Sequence, residues 1–448
     1  MLAALCLPIV ALAVDVNGVG VVLPSIAFDL HLDRTATSWV MNANPLTMAV
    51  VLVVIGRFTD RHGRRIPLLV GIAAFGLGSL VCAVAPNGAV LIGGRVLQGF
   101  ASALCFTTSL AVVSEVFAAD ERDRAIGIWG AVMGLGGAIG PLVGGVLTSG
   151  AGWRGFFVVN VVLCLVVVPV LAVLVPRTVD DHLGAGRPLP PRIAAPFMAG
   201  LLLLMVAAQA AGRVGLGAPT VVGTAAVAVG LLIGWRRAER RDDLHLLPPV
   251  RDRRFAVANA VGTCANWSFG VALVFGARWL QEVAHLSAVR AGVVFVAFSG
   301  AFAFAGVITP RVLAWRGGWL TLTIGSVIAA IGLVITTTID ASGALGPFVV
   351  GLVVAGLGTG LVFDASTTIG IDAVGPADAG TAAGVLQTTR LVGLVVGIAL
   401  STWLQVDVAA GTDGVAVGLT DGVRAALFLA AAVSAIGAVI AVTFGHRD

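Results

Sequence analysis

Fourteen apolar runs, most of them of about 20 residues or more, constrain this chain more than any other feature of its sequence. A run of about 20 residues crosses the hydrocarbon core of a bilayer as an α-helix. Only 11% of the 448 residues are charged, against roughly 25% in soluble domains. The sequence therefore predicts an all-α polytopic membrane protein. The predicted transmembrane helices are 3–26, 37–56, 66–85, 88–117, 124–149, 155–175, 193–212, 217–235, 255–280, 288–310, 318–339, 345–371, 379–405 and 423–444.

Arginine placement predicts how the chain crosses the membrane. With the N-terminus inside, cytoplasmic segments carry nineteen arginines, and the opposite side carries five: Arg34, Arg154, Arg213, Arg290 and Arg424. Short loops rich in arginine stay in the cytoplasm. We therefore expect a multi-pass protein of the cell membrane, in contact with the lipid bilayer, with both termini cytoplasmic. The net charge of +4 lies mainly in these loops and does not suggest nucleic-acid binding.

The residue inventory excludes several function classes. The chain contains no lysine, and a P-loop nucleotide site requires one. Its five cysteines lie singly in apolar runs and its six histidines lie in loops or at the tail, so we expect no metal site and no cofactor. The apolar runs also lack G-x-S-x-G, H-E-x-x-H and paired catalytic acids, and we do not expect an enzyme.

Two segments rich in proline or arginine, 176–192 and 236–254, bracket the helix pair 193–212 and 217–235. Six predicted helices precede this pair and six follow it. Repeated six-helix halves are a transporter architecture, with the substrate site between the halves. We therefore predict an N-terminal bundle at 1–176, linkers with two inserted helices at 177–254, and a C-terminal bundle at 255–448.

One polar stretch, GRFTDRHGRR, follows the second run, and we predict that it forms a tight turn between helices. The pattern G-x-F-x-D-R-x-G-R-R resembles the loop between helices 2 and 3 of the major facilitator superfamily. That resemblance implies a conformational gate made by Gly56, Asp60, Arg61, Gly63, Arg64 and Arg65. We expect Asp60 to cap the positive end of the helix that begins near Ala379–Ala382. An ordinary arginine-rich cytoplasmic turn is the alternative interpretation.

The fifth run contains GGAIGPLVGG, in which glycines recur every four residues. Such a face allows close helix packing in lipid, and we expect the proline to kink the helix. The motif, formed by Gly136, Gly137, Gly140, Pro141, Gly144 and Gly145, resembles that of exporters in the same superfamily. Together with the helix count, it resembles the fourteen-helix drug/proton antiporter family across essentially the whole chain. A generic small-residue contact is the alternative.

Two charged residues inside apolar runs suggest proton coupling. Asp15 opens a segment, DVNGVGVVLP, that is similar to the first helix of that family, and Arg95 opens RVLQG, which resembles its R-x-x-Q-G pattern. A carboxylate near mid-membrane costs about 2.5–3.5 kcal/mol or more, so it must face a cavity or a partner. We hypothesise that Arg95 reaches Asp15 and that the pair links proton binding to conformation. A purely structural aspartate is the alternative.

These features predict a proton-coupled exporter of amphipathic or cationic small organic molecules, such as antibiotics, working as a monomer. A dedicated metabolite transporter of the same fold, or a non-transporting membrane sensor or scaffold, is the alternative. Asp364 and Arg390 either pair in the second half or face the cavity. The candidate substrate-cavity residues are Asn42, Asn44, Gln98, Phe106, Asn266, Trp267, Asp364, Gln387 and Arg390.

Overall fold

The computed structural model describes residues 1–117, 119–175, 190–215, 217–242, 252–339, 345–374, 378–410 and 415–445. Almost all of these residues are helical. The helices are α1 Leu2–Asp29, α2 Arg34–His62, α3 Arg65–Ala83, α4 Gly88–Val116, α5 Ala119–Leu174, α6 Pro191–Val214, α7 Pro219–Asp242, α8 Arg253–Glu282, α9 Ala288–Arg316, α10 Gly318–Thr336, α11 Leu345–Val374, α12 Ala379–Ala410 and α13 Val415–Gly445.

The predicted set of fourteen membrane spans is confirmed for the described part of the chain, by length and hydropathy. Helix α5 supplies two of them, 121–148 and 150–174, because Gly152 breaks it with a φ of +69°. The break is tied to the end of α1. Trp153 donates from Nε1 to Asp29 at 3.0 Å, and Arg154 donates to the same carboxylate at 2.7 Å.

The polar stretch after the second run is much less of a turn than predicted. Helix α2 continues through Asp60 to His62, and α3 begins at Arg65. A helix satisfies its own backbone hydrogen bonds, so polar side chains that have partners of their own can remain on it. The reversal is made at Gly63, whose φ of +92° is readily adopted only by a residue without a Cβ.

The predicted linker 176–192 lies largely outside the described residues, and so does the middle of the linker 236–254. Helix α7 also runs on to Asp242, so the segment 236–242, which we expected to belong to a linker, is helical. This segment contains several arginines, whose positive charge interacts favourably with the negative C-terminal end of the helix dipole. The predicted domain limits at 176 and 254 remain predictions.

The contacts of the chain divide it into two compact units. The first comprises Met1–Gly186 and Val374–Thr388, so it holds α1 to α5 and the start of α12. Within it, α1 lies along α5, and α4 packs against both α2 and α3. Its core includes Val19, Val22 and Phe157, all fully buried.

The second unit comprises Arg187–Ala373 and Thr389–Asp448. Helices α6 and α7 pack on each other, and α13 packs against α8 and α10. Helices α10 and α11 are so close that a methyl group added at Gly358 would collide with the backbone of Ala329. Helix α12 passes from the first unit into the second after Thr388.

All five cysteines lie in helices. Cys6, Cys82, Cys105 and Cys164 are buried, and Cys264 is half-buried. Among the described residues, no three His, Cys, Asp or Glu side chains are grouped so that they would hold a metal ion.

Candidate functional site

Asp15 is the centre of a fully buried polar cluster in the first unit. Its Oδ2 accepts hydrogen bonds from Arg95 Nη1 and from Asn44 Nδ2, the latter at 3.1 Å. Its Oδ1 accepts from Asn160 Nδ2 at 2.9 Å and from Gln98 Nε2 at 3.2 Å. Three helices, α2, α4 and α5, therefore supply donors to one carboxylate on α1. We call Asp15, Asn44, Arg95, Gln98 and Asn160 the Asp15 cluster.

Arg95 is itself fully buried, and further contacts fix its position. Its Nε donates to the carbonyl oxygen of Val40 at 3.2 Å, and its Nη1 also donates to Gln98 Oε1 at 2.8 Å. Gln98 in turn donates to Ser79 Oγ at 2.9 Å. The ion pair is thus embedded in hydrogen bonds on both sides, which a buried pair needs to offset its desolvation.

Close helix packing brings these side chains together. A methyl group at Gly99 of α4 would lie 2.7 Å from Thr47 Cβ and would also strike the backbone of Asn44 in α2. A methyl group at Gly18 of α1 would lie 2.7 Å from the ring of Phe156 in α5. Small residues therefore set the spacing at which short polar side chains reach Asp15.

The glycine motif of α5 packs on α1, close to the same cluster. A methyl group at Gly140 would lie 2.9 Å from the carbonyl oxygen of Val14, and one at Gly144 would lie 2.8 Å from that of Gly18. Gly136 meets Ala13 in the same way, whereas Gly137 has only an ordinary contact with Asn17. Gly145 lies farther along α5. The side chain of Pro141 is outside the described residues, so the kink expected there stays a prediction.

Asp60 makes the contact that the sequence analysis expected at the start of the helix after Ala379. Its Oδ1 accepts from the backbone N–H of Gly380 at 2.9 Å. Its Oδ2 accepts from the backbone N–H of Thr381 at 2.7 Å and from the Thr381 hydroxyl at 2.8 Å. Gly56, one turn earlier on α2, faces Gly380 so closely that an added methyl group would overlap its carbonyl. All four residues belong to the first unit.

The neighbouring arginines anchor this end of the first unit. Arg64 pairs with Asp60 at 3.2 Å and with Glu115 of α4 at 2.8 Å, and it donates to the carbonyl oxygen of Ala111 at 2.9 Å. Arg65 donates to the carbonyl oxygens of Val175 and Ala172 at 2.9 and 2.6 Å. Arg61 is partly buried in the last turn of α2.

In the second unit, Arg390 and Asp364 are both buried but form no direct ion pair. Nη2 of Arg390 donates to Ser366 Oγ at 2.7 Å, to Thr367 Oγ1 at 2.9 Å and to the carbonyl oxygen of Phe363 at 3.1 Å. Its guanidinium carbon lies 4.1 Å from the centre of the Phe363 ring. We call these five residues the Arg390 cluster.

The remaining candidate cavity residues are described by their individual contacts. Asn42 is partly buried and donates to Ser38 at 3.3 Å, and Phe106 is buried against Trp129 with ring centroids 5.0 Å apart. Asn266 donates to the carbonyl oxygen of Arg390 at 2.8 Å.

Two more candidates have polar atoms without a partner among the described residues. Trp267 packs beside Gly397, and its indole N–H has no acceptor. Gln387 is partly buried, and its Oε1 has no donor.

Sequence reasoning missed several partners. Asn160 and Glu115 are polar residues inside or near apolar runs, and that position was the available signal for both. Ser366 and Thr367 carried no such signal, because short hydroxyl side chains are common in membrane helices and often bond to their own helix.

Known proteins resemble this chain in sequence and in fold. Residues 5–398 match the family model described as Major Facilitator Superfamily. The puromycin resistance protein pur8 of Streptomyces alboniger is 32% identical over 398 residues, covering 86% of this chain and 77% of that protein. The riboflavin transporter RibZ of Clostridioides difficile is 25% identical over 399 residues, covering 89% and 86%. The fold also resembles the crystal structure of the human organic anion transporter MFSD10, with a TM-score of 0.69, 13% identity and 98% of each chain covered.

Proposed function

The chain belongs to the Major Facilitator Superfamily, and on that premise we propose that it exports amphipathic or cationic organic molecules in exchange for protons. That it is a multi-pass membrane transporter follows from the family and from its fourteen apolar helices. The direction, the driving ion and the cargo are the content of the proposal.

The Asp15 cluster carries the proposal. A carboxylate inside a membrane helix costs free energy that a hydrophobic residue would not. The presence of a fully buried acid at Asp15 therefore points to a function that needs an acid. Here Arg95 holds it as an anion, together with three amide donors. Withdrawal of Arg95 would leave the carboxylate without its counter-charge, so it would take up a proton. Proton binding and helix position are therefore linked through one ion pair.

The Asp60 contact supplies the conformational element. Its carboxylate accepts from the two free N–H groups at the start of α12, where the helix dipole favours an anion. Helix α12 must break three hydrogen bonds to leave Asp60, including the one from the Thr381 hydroxyl. In the proposed cycle, this contact is a latch that closes the cytoplasmic side and opens when cargo is bound.

Cargo is proposed from chemistry and from similarity. Phe106 and Trp267 offer aromatic surface, whereas Asn42, Asn44, Gln98 and Gln387 offer amides. Resistance relatives such as pur8, named for puromycin, favour an amphipathic cation. Similarity to RibZ supports one second candidate, a dedicated transporter of a planar metabolite such as riboflavin.

A transport assay separates these functions. Inside-out vesicles containing the protein are given a cationic dye, puromycin or riboflavin, with and without a proton gradient. We expect gradient-dependent uptake of the first two and its loss in Asp15→Asn. Glu282→Gln, which alters an exposed acid paired with Arg278, is the matched control.

Uptake of riboflavin alone would favour the dedicated metabolite transporter. Uptake that neither the gradient nor Asp15→Asn changes would refute proton coupling. No uptake of any compound, in protein that is folded, would favour a sensor or scaffold.

Orientation and assembly are also proposals. The excess of arginine in alternate loops supports cytoplasmic termini in the cell membrane. Each unit has its own buried core, which supports a monomer. Labelling of a cysteine introduced at position 33 or 242, in intact cells, tests the orientation, because only the former would then face outward.

A further inference from the structure

Asp364 is a buried acid that the proposed cycle does not yet use for proton transfer. It lies inside α11, and 1% of its surface is exposed. Neither of its carboxyl oxygens accepts a hydrogen bond from any residue that the structure describes. Asp15, equally buried, accepts four.

The neighbouring cation, Arg390, donates no hydrogen bond to Asp364. Arg390 is buried beside the same segment of α11, at Ser366 and Thr367. Nη2 of Arg390 is directed to Ser366, Thr367 and the Phe363 carbonyl. Its guanidinium also lies over the Phe363 ring. These contacts satisfy part of the arginine without using the acid.

The helices around α11 bring no other charge to this depth. Contacts of its glycines and of Ser366 show that it packs on α8, α9 and α10, and Arg390 lies on α12. Helix α10 has no charged residue. The described charged residues of the others lie near helix ends: Arg253, Arg254, Arg278 and Glu282 on α8, Arg290, Arg311 and Arg316 on α9, Asp372 on α11 and Asp407 on α12. On α8, the Cβ of Cys264 faces Gly437 of α13.

At this position an ionised carboxylate without hydrogen-bond donors is energetically unfavourable. Burial of an unpaired charge costs several kcal/mol, and a buried group of this kind takes up a proton instead. A neutral carboxyl has one O–H to place, and backbone carbonyls of the same helix accept such bonds from short side chains.

We propose that Asp364 is a second proton-binding site, occupied by a proton in this conformation, while Asp15 is ionised. The inference deepens the proposed proton-coupled transport and rests on it for its role in the cycle. The two acids thus stand in opposite protonation states, one in each unit of the chain.

The same cluster contains the means of releasing the proton. Nε of Arg390 has no acceptor among the described residues, and Asp364 has no donor. A movement that turns this N–H to the carboxyl group satisfies both groups once Asp364 has given its proton to water. Arg390 lies two residues beyond Thr388, where α12 passes from one unit to the other, so a shift of α12 would displace it.

Infrared spectroscopy of the purified protein in lipid tests proton occupancy without any transport. A protonated carboxyl group has a carbonyl band apart from the amide bands, and the band shifts in D₂O. At neutral pH we expect one such band from a buried group. It disappears in Asp364→Asn, persists in Asp15→Asn, and moves without disappearing in Asp364→Glu.

Asp421→Asn is the matched control, because Asp421 is partly exposed and paired with Arg424. It leaves the band unchanged. Absence of the band from the parent protein, or its full intensity in Asp364→Asn, would overturn the proposal. Asp364→Glu, which keeps a carboxyl group, covers the case in which the amide variant does not fold.

Coupling to transport is measured separately. With the membrane potential held at zero, a tenfold proton gradient is expected to sustain a puromycin gradient of about 100-fold for two protons and about tenfold for one. We expect the first value for the parent protein and the second for Asp364→Asn. Equal gradients in the two would show that Asp364 does not take part in coupling. No puromycin gradient in either would count against the proposed function, whereas the infrared band would still decide the protonation of Asp364.

Discussion

Asp15 and Asp60 of the first unit and Asp364 of the second have opposite surroundings. In the first, Asp15 and Asp60 each accept four hydrogen bonds from described residues, one of them from an arginine. In the second, Asp364 accepts none, and the nearby Arg390 is held by hydroxyl groups and a carbonyl. Burial alone therefore does not determine the protonation state that we propose for each acid. The number of hydrogen-bond donors around the carboxyl group does.

The largest effect is expected from Asp15→Asn. The substitution leaves Arg95 buried without a counter-charge, which costs about 3–5 kcal/mol of stability when one partner of a buried pair is removed. Unfolding by denaturant in detergent measures it. Asp15→Asn combined with Arg95→Gln should recover part of the loss, and no recovery would mean that the ion pair is not the source of the cost.

Asp60→Asn should have the next largest effect, confined to one place. The amide keeps an oxygen acceptor but loses the negative charge that strengthens the hydrogen bonds from Gly380 and Thr381, a loss of about 1 kcal/mol for each bond. Hydrogen exchange of the backbone amides at the start of α12 should accelerate, and transport should change with it. Asp60→Glu controls for charge. If Asp60→Asn transports as the parent does, the latch proposal is wrong.

Gly56→Ala sharpens the comparison without altering any acid. The new methyl group would overlap the Gly380 carbonyl and push α12 from α2, at about 1–3 kcal/mol for overpacking. Thermal unfolding and exchange at Thr381 report it. Gly93→Ala is the matched control, because nothing lies within 4 Å of the added methyl group. Equal behaviour of the two variants would contradict the close contact.

The smallest effect is expected from Asp364→Asn. An amide resembles a neutral carboxyl group, so stability should change by less than about 1 kcal/mol, as for substitutions that break no charge network. Denaturant unfolding beside Asp15→Asn provides the comparison. A loss as large as that of Asp15→Asn would remove the distinction between the two acids.

Sequence was sufficient for features that follow from the bilayer itself. Hydrocarbon thickness sets the length of a membrane span, so the fourteen spans could be predicted from the apolar runs. The extent of the turn at Gly56–Arg65 could not, because hydrophobicity marks polar residues and does not reveal that Arg64 has Glu115 as a partner. The turn in the structure, between His62 and Arg65, is therefore shorter than the predicted one.

The site was partly predictable for a similar reason. Resemblance to the family pointed to Asp15, Arg95 and Asp60, whose patterns are local in sequence. Asn160 depends on the rotation of α5 against α1, which packing decides and no local pattern records. The absence of a direct pair between Asp364 and Arg390 depends on competition from Ser366 and Thr367, and composition gives no measure of such competition.

The burial of the cysteines has a practical consequence for spectroscopy. Four native thiol groups are enclosed among helices and the fifth is half-covered, and there is no lysine for amine reagents to modify. A single cysteine or lysine introduced at a loop would react with a soluble maleimide or succinimidyl ester well ahead of the native side chains. With one such residue in each unit, a pair of fluorophores or spin labels can be attached to the parent background, and the distance between them measured as a test of the proposed transport cycle.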